Sequence, residues 1–203
     1  MDPRKIRKAE TREQLLSVTA DALATGRSFD TMSLREVAKL AGIAPTSFYR
    51  HFHDMEELGL ALIEEHGRAL LAVIEDVRTH VTEGRSLIRA WVTAVYDFIM
   101  ARQGLSRMIV KESLSPESPF REASEGLFLA ISSDLAEYLE QDASQRGVPL
   151  GYPRLAANAM VSMMFTSGIA LLNAPEVDRD RHIDAAVIKV KMILRGAESL
   201  GDK

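Results

Sequence analysis

The chain has 203 residues, 46% hydrophobic and 27% charged, which suits a soluble globular protein with a sizeable core; with no cysteine, disulfides, thiolate metal sites and cysteine nucleophiles are excluded. The net charge of −4 divides unevenly: residues 1–53 hold nine Lys/Arg against six Asp/Glu (+3), and residues 54–203 hold sixteen against twenty-three (−7). A basic end on an acidic body suits a protein that touches nucleic acid with one end only.

The opening MDPRKIRKAETREQ has no apolar core of the kind a secretory signal needs, so a cytoplasmic location is expected. Lys5, Arg7, Lys8 and Arg12 cluster before and within the first turns of a helix predicted over about residues 9–25. Beside a nucleic-acid-binding unit such a cluster reads as a phosphate-binding arm. Gly26 closes that helix, and Phe29 and Met32 are expected in the small core it covers.

Residues 33–52, SLREVAKLAGIAPTSFYRHF, read as two short helices with a tight turn between them. Ser33 followed by Glu36 is a capping box. Leu34, Val37, Ala38 and Ala41 recur at helical spacing. Gly42 stands where a left-handed residue ends a helix, and Pro45 suits the first turn of the next. Phe48, Tyr49 and Phe52 are expected on the buried side of the second helix. Thr46, Ser47, Arg50 and His51 give it a hydrogen-bonding outer surface. This is a helix-turn-helix pattern, whose second helix can enter the DNA major groove.

Those residues resemble the DNA-binding half of TetR-type transcriptional repressors: a Ser-led helix, Ala-Gly-aliphatic, then a short helix ending in Tyr49-Arg50-His51-Phe52. The likeness runs over roughly residues 11–60. The wording LREVAKLAGIAPTSFYRHF followed by DMEELGL is similar to the regulators of unsaturated-fatty-acid synthesis and acyl-chain desaturation, the FabR and DesT type. The resemblance implies a DNA face made of Lys5, Arg7, Lys8, Arg12, Ser33, Arg35, Pro45, Thr46, Ser47, Tyr49, Arg50 and His51. It further implies a homodimer on double-stranded palindromic operator DNA and a small-molecule effector, a long-chain acyl-CoA, saturated or unsaturated, with fatty-acid desaturation genes as the target. A repressor of efflux genes answering to hydrophobic drugs, and a helical ligand carrier without DNA function, are the alternative readings. One position departs from the family: the Lys usual two residues into the next helix is Met55 here.

Asp54 with Glu57 is a second capping signature, and it opens a long helix predicted to continue to about Val81. Gly84 then breaks the chain. Further helices are expected over about 86–102, 105–112, 119–145, 155–172 and 181–200. Residues 155–172, LAANAMVSMMFTSGIALL, carry no charge, touching the lower length limit of a membrane span. Asn158, Ser162, Thr166 and Gly168 interrupt that run, so burial on two faces, one against a partner subunit, is the better reading. No membrane association is expected. The last helix places Ile183, Val187, Val190 and Leu194 on one stripe, read as a dimer interface formed with the eighth helix.

The reading is all-α: about nine helices, a helix-turn-helix domain over residues 1–53 and a ligand-binding and dimerisation body over residues 54–203. Candidate ligand-lining residues are Leu62, His66, Leu70, Trp91, Val95, Phe98, Ile99, Met108, Phe128, Ile131, Met160, Met163, Met164 and Phe165, a set rich in adaptable apolar side chains. The five histidines, at 51, 53, 66, 80 and 182, have no metal-binding spacing. Phosphate loops and nucleophile motifs are missing, so no cofactor, metal or catalysis is expected.

Overall fold

A computed structural model describes residues 3–80 and 87–201. Among them lie nine α-helices and two single 3₁₀ turns, with no strand: α1 Pro3–Ala24, α2 Leu34–Leu40, α3 Pro45–Phe48, α4 Met55–His80, α5 Leu87–Ala101, α6 Gln103–Ser113, α7 Arg121–Arg146, α8 Pro153–Asn173 and α9 Arg179–Gly201. The expected end of α4 at Val81, the break at Gly84 and the start of α5 at Ser86 lie outside the described residues. The largest difference from expectation is α1, which begins at Pro3 rather than near Ala9. Its first turns carry Arg4, Lys5, Arg7 and Lys8, all exposed, so no apolar periodicity marks them in the sequence.

By packing, the chain forms two compact units. One comprises Met1–Arg68 with Arg102–Ser124, the other Ala69–Ala101 with Glu125–Lys203. This division differs from the one expected at residues 53/54. The first half of α4 and all of α6 count with the N-terminal helices, and α4 contributes its second half to the other unit. The cause for α6 is its contact with α1: a Cβ on Gly104 would collide with the backbone of Leu23 and Ala24. Only a residue without a side chain permits that approach.

The first unit has a small core of aliphatic side chains with Phe29, Phe48, Phe52 and Phe120 among them. Leu15, Leu16, Val37, Phe48, Phe52 and Leu58 are buried in it, and Phe29 meets Phe120 edge-to-face at 5.4 Å. Local chemistry sets its corners. Ser33 Oγ accepts from the Glu36 N–H at 3.3 Å, the forward half of the capping box. The Glu36 carboxylate does not complete the box; it takes the Arg27 guanidinium at 2.5 Å instead. Gly42 has φ +67 and ends α2 as expected, and Pro45 opens α3. At the start of α4, Asp54 Oδ1 accepts from the Glu57 N–H at 2.8 Å, while the Glu57 carboxylate caps the N–H of His53 at 2.5 Å.

The second unit is a layer of long helices around one apolar core that includes Ile74, Trp91, Val92, Tyr96, Leu135, Met160, Met164 and Val190. Helices α8 and α9 pack on each other, and both pack on α5. Arg89–Asp184 and Arg179–Asp97 ion pairs tie α5 to the α9 region from outside. The turn before α8 is fastened to the end of α9 backbone to backbone. Gly151 N–H donates to the Ala197 carbonyl at 2.8 Å, and a Cβ on Gly201 would stand 2.6 Å from the Leu150 nitrogen.

The stripe read as a dimer interface has a different role. Ile183, Val187 and Val190 are buried inside the chain's own core, and Leu194 packs against it. Periodicity located the apolar face of α9 correctly, but the face is satisfied by α5 and α8 of the same chain. The opposite side of α9 exposes Ile188 (54%) and Met192 (68%). Helix α8 is the one described helix long and apolar enough to cross a membrane by length and composition. Half of its apolar window is buried in the chain's own core. Its other side shows Leu155, Asn158, Ala159, Ser162, Thr166 and Ala170 to solvent.

Candidate functional site

The helix-turn-helix residues form one polar surface on an aromatic base. Phe48 and Phe52 are buried and lie 5.7 Å apart between ring centroids, which anchors α3 and the turn after it. Pro45, Thr46 and Arg50 are exposed, and Ser47 and His51 are half-buried. Tyr49, expected partly on the buried side, is 63% exposed with its ring edge against Phe48 at 6.1 Å. Its place is on the outer face, where a phenol can reach a phosphate or a base. Helix α3 has only four residues, so this surface belongs as much to the turn 49–51 as to the helix.

Helix α1 brings its cations to the same region. The Arg12 guanidinium lies over the Phe52 ring at 4.8 Å, a cation–π contact that fixes its position. The His51 imidazole is held below its ordinary pKa first by burial and then by the charges of Lys8, Arg12 and Arg50. His51 Nδ1 is enclosed and has no hydrogen-bond partner among the described residues. Three cations converging on one neutral ring make a positive, hydrogen-bonding surface suited to a polyanion. Lys5, Arg7, Ser33 and Arg35 are exposed. His53 is exposed too, with its Nδ1 on Asp54 at 3.1 Å.

The fourteen candidate ligand-lining residues divide between the units. Leu62, His66 and Met108 are buried in the first. Burial holds the His66 imidazole down at about 4, and the Arg102 guanidinium adds to the effect. In the second, Trp91, Val95, Ile131, Met160 and Met164 share the main core, with Leu70, Ile99, Phe128 and Met163 packed against it. Phe98 is buried. Phe165 stands edge-to-face on Phe128 at 4.6 Å, beside a depression of about 440 Å³ that also touches Leu129 and Ser162.

Trp91 and Met160 instead line a cavity of about 430 Å³ between α5, α7, α8 and α9, with Arg78 of α4 at its edge. Arg78, Arg146, Lys191 and Arg195 stand at it with Asp142 and Glu198. Sequence reading missed these cations, because they lie far apart along the chain and only the packing of α9 on its neighbours gathers them. Lys111 on α6, by contrast, is held by Asp30 and Glu112.

Residues 16–62 match the sequence profile of the bacterial regulatory proteins of the tetR family. Solved structures with a similar fold include a protein of Syntrophomonas wolfei provisionally assigned as a TetR-family transcriptional regulator, at TM-score 0.76 and 12% identity, covering 92% of this chain and 96% of that one. Escherichia coli NemR in its reduced form has TM-score 0.72 and 22% identity, with 91% and 97% covered. A Clostridium perfringens protein provisionally named a fatty acid metabolism regulator has TM-score 0.63 and 15% identity, with 90% and 97% covered. The chain therefore carries a TetR-type N-terminal segment on the all-α fold shared with TetR-family regulators.

Proposed function

We propose that the protein is a dimeric transcriptional repressor whose hold on a palindromic operator is set by a small apolar effector. The matched segment and the fold are those of transcriptional regulators, not of enzymes. The observation that carries the DNA-binding part is the outward set of Thr46, Tyr49 and Arg50 on a buried Phe48–Phe52 base, with the cations of α1 alongside. Small groups at the start of α3 approach base edges, and Lys5, Arg7, Lys8 and Arg35 neutralise phosphates. Met55 stands where a further cation is usual, so binding leans more on α1.

A repressor reading a palindrome needs two copies with recognition elements roughly 34–36 Å apart, or a multiple of that. The dimer surface in this reading is the outer side of α8 and α9: Leu155, Ile188 and Met192 with the small residues Ala159, Ser162 and Ala185. The effector reading is a long-chain acyl-CoA, with control of desaturation genes. The methionines of α8 and the name of the Clostridium perfringens protein support it. Helix α4 runs unbroken for 26 residues, roughly 39 Å, and is the mechanical link between effector and DNA. An effector shifts DNA affinity only by as much as it prefers one arrangement over the other.

The test is operator binding by the intact dimer, measured against salt and with saturated and unsaturated acyl-CoA of equal chain length. Steep salt dependence with unequal effects of the two thioesters is expected. Equal, null effects would remove the acyl-CoA reading and leave a repressor with another apolar effector. Absence of sequence-specific binding would remove the repressor itself.

A further inference from the structure

We propose that the cavity between α5, α7, α8 and α9, which takes Trp91 and Met160 from the set expected to line an effector pocket, binds a compact apolar molecule carrying one carboxylate, and that Lys191 and Arg195 receive its charge. The site is separate from the DNA surface and does not depend on the acyl-CoA reading. Its volume of about 430 Å³ falls within the range of roughly 300–1,000 Å³ usual for small-molecule pockets.

The walls are apolar: Ile88, Trp91, Leu135, Leu139, Met160 and Val190. Apart from the charged side chains, the lining offers only the Trp91 indole N–H and the Tyr138 hydroxyl as hydrogen-bonding groups, too few for a polyanion such as a nucleotide. The cations at the cavity differ in how far they are committed. Arg78 pairs with Asp134 at 2.7 Å and Glu75 at 3.5 Å, and lies over the Tyr138 ring at 4.5 Å. Arg146 is held by Asp142 at 2.7 Å and by Glu198 at 3.4 Å. Lys191 and Arg195 sit one helical turn apart on α9, exposed, with no ion pair or hydrogen bond among the described residues. The lining holds four cations against two carboxylates, and those two carboxylates are already engaged by Arg146. The excess positive charge thus stands beside an apolar chamber. A guanidinium fork matches a carboxylate in shape, and a neighbouring ammonium adds charge without crowding it. A neutral hydrocarbon would leave the cations unused, and a cation would be repelled.

Trp91 is the chain's only tryptophan, so its fluorescence reports this wall alone. The intact protein is titrated with decanoate, decanol and decyltrimethylammonium below their micelle concentrations, by fluorescence and by calorimetry. The same titrations are made with a Lys191→Glu/Arg195→Glu variant, whose altered side chains are exposed and whose folding is checked by circular dichroism. Expected are saturable binding of decanoate, about tenfold or more tighter than decanol, loss of that preference in the variant, and a gain there for the ammonium compound. Equal affinity for the three compounds overturns the proposal. So does an unchanged decanoate preference in the folded variant, or the absence of saturable fluorescence and heat. Operator binding is measured on the unmodified protein alone, because Arg195 follows Ile188 and Met192 on one face of α9, so a failure of the repressor reading is seen apart from a failure of this site.

Discussion

The two compact units differ in how their exposed surface is arranged. The first gathers polar and basic groups on α1, α3 and the turn after it, with exposed Leu40 and Leu114 scattered elsewhere. The second leaves Leu155, Ile188 and Met192 uncovered on α8 and α9. Surface of the first kind suits a hydrated, charged partner; surface of the second suits another protein face. Neighbouring residues on one helix can thus have unrelated tasks. Val187 is buried core and Ile188 is more than half exposed.

That pair gives the sharpest break. Val187→Glu places an unpaired charge in the core and should cost about 3–5 kcal/mol, seen as a lowered thermal midpoint or insoluble protein. Ile188→Glu should leave the melting curve of each subunit intact and shift sedimentation toward the monomer. Equal destabilisation by both would erase the distinction between the two faces. Next in size, the Thr46→Ala/Arg50→Ala variant would, on the proposed reading, lose base-edge contacts worth about 1–3 kcal/mol each. Operator affinity should fall by a factor of at least about thirty at fixed salt, with folding unchanged. Normal affinity would move the DNA face elsewhere.

A pH effect belongs to the first unit's core. Burial holds His66 at about 4, below its ordinary value near 6.5, so the unfolded chain binds the proton more readily. Stability is full above about pH 6.5 and declines as pH falls toward 4, by at most about 1.4 kcal/mol per pH unit. A His66→Gln variant should flatten that slope in denaturant titrations at pH 7, 6 and 5. The smallest effect is expected of Lys5→Ala. It should weaken binding to all DNA sequences alike and lower the salt slope by about one, without touching specificity.

What could be foreseen follows the same contrast. In the first unit the signals are local: a serine that caps, a glycine at positive φ, a proline at a helix start. Each acts within four residues, so Ser33, Gly42 and Pro45 stand where the sequence put them. Even there, a long-range partner redirected Glu36 to Arg27, and exposed cations hid the first turns of α1. In the second unit the helices were legible but their neighbours were not. The stripe of Ile183, Val187, Val190 and Leu194 looks the same whether it meets its own chain or another. The cavity cations come from α4, α7 and α9, so no spacing in the sequence announces them.

The backbone clasp between Gly151 and the end of α9 bears on motion. Final turns of helices fray because their last carbonyls lack donors. Here the Ala197 carbonyl takes the amide of Gly151, and glycine at 151 and 201 lets the two strands of backbone touch. Opening the end of α9 therefore requires lifting the turn before α8 as well, and the two should exchange their amide hydrogens as one cooperative event. Leu150, Leu194 and Glu198 border both the clasp and the cavity. The deuterium uptake of Gly151 is thus a clock for how long that end of the helix stays shut, and anything seated in the cavity should slow it.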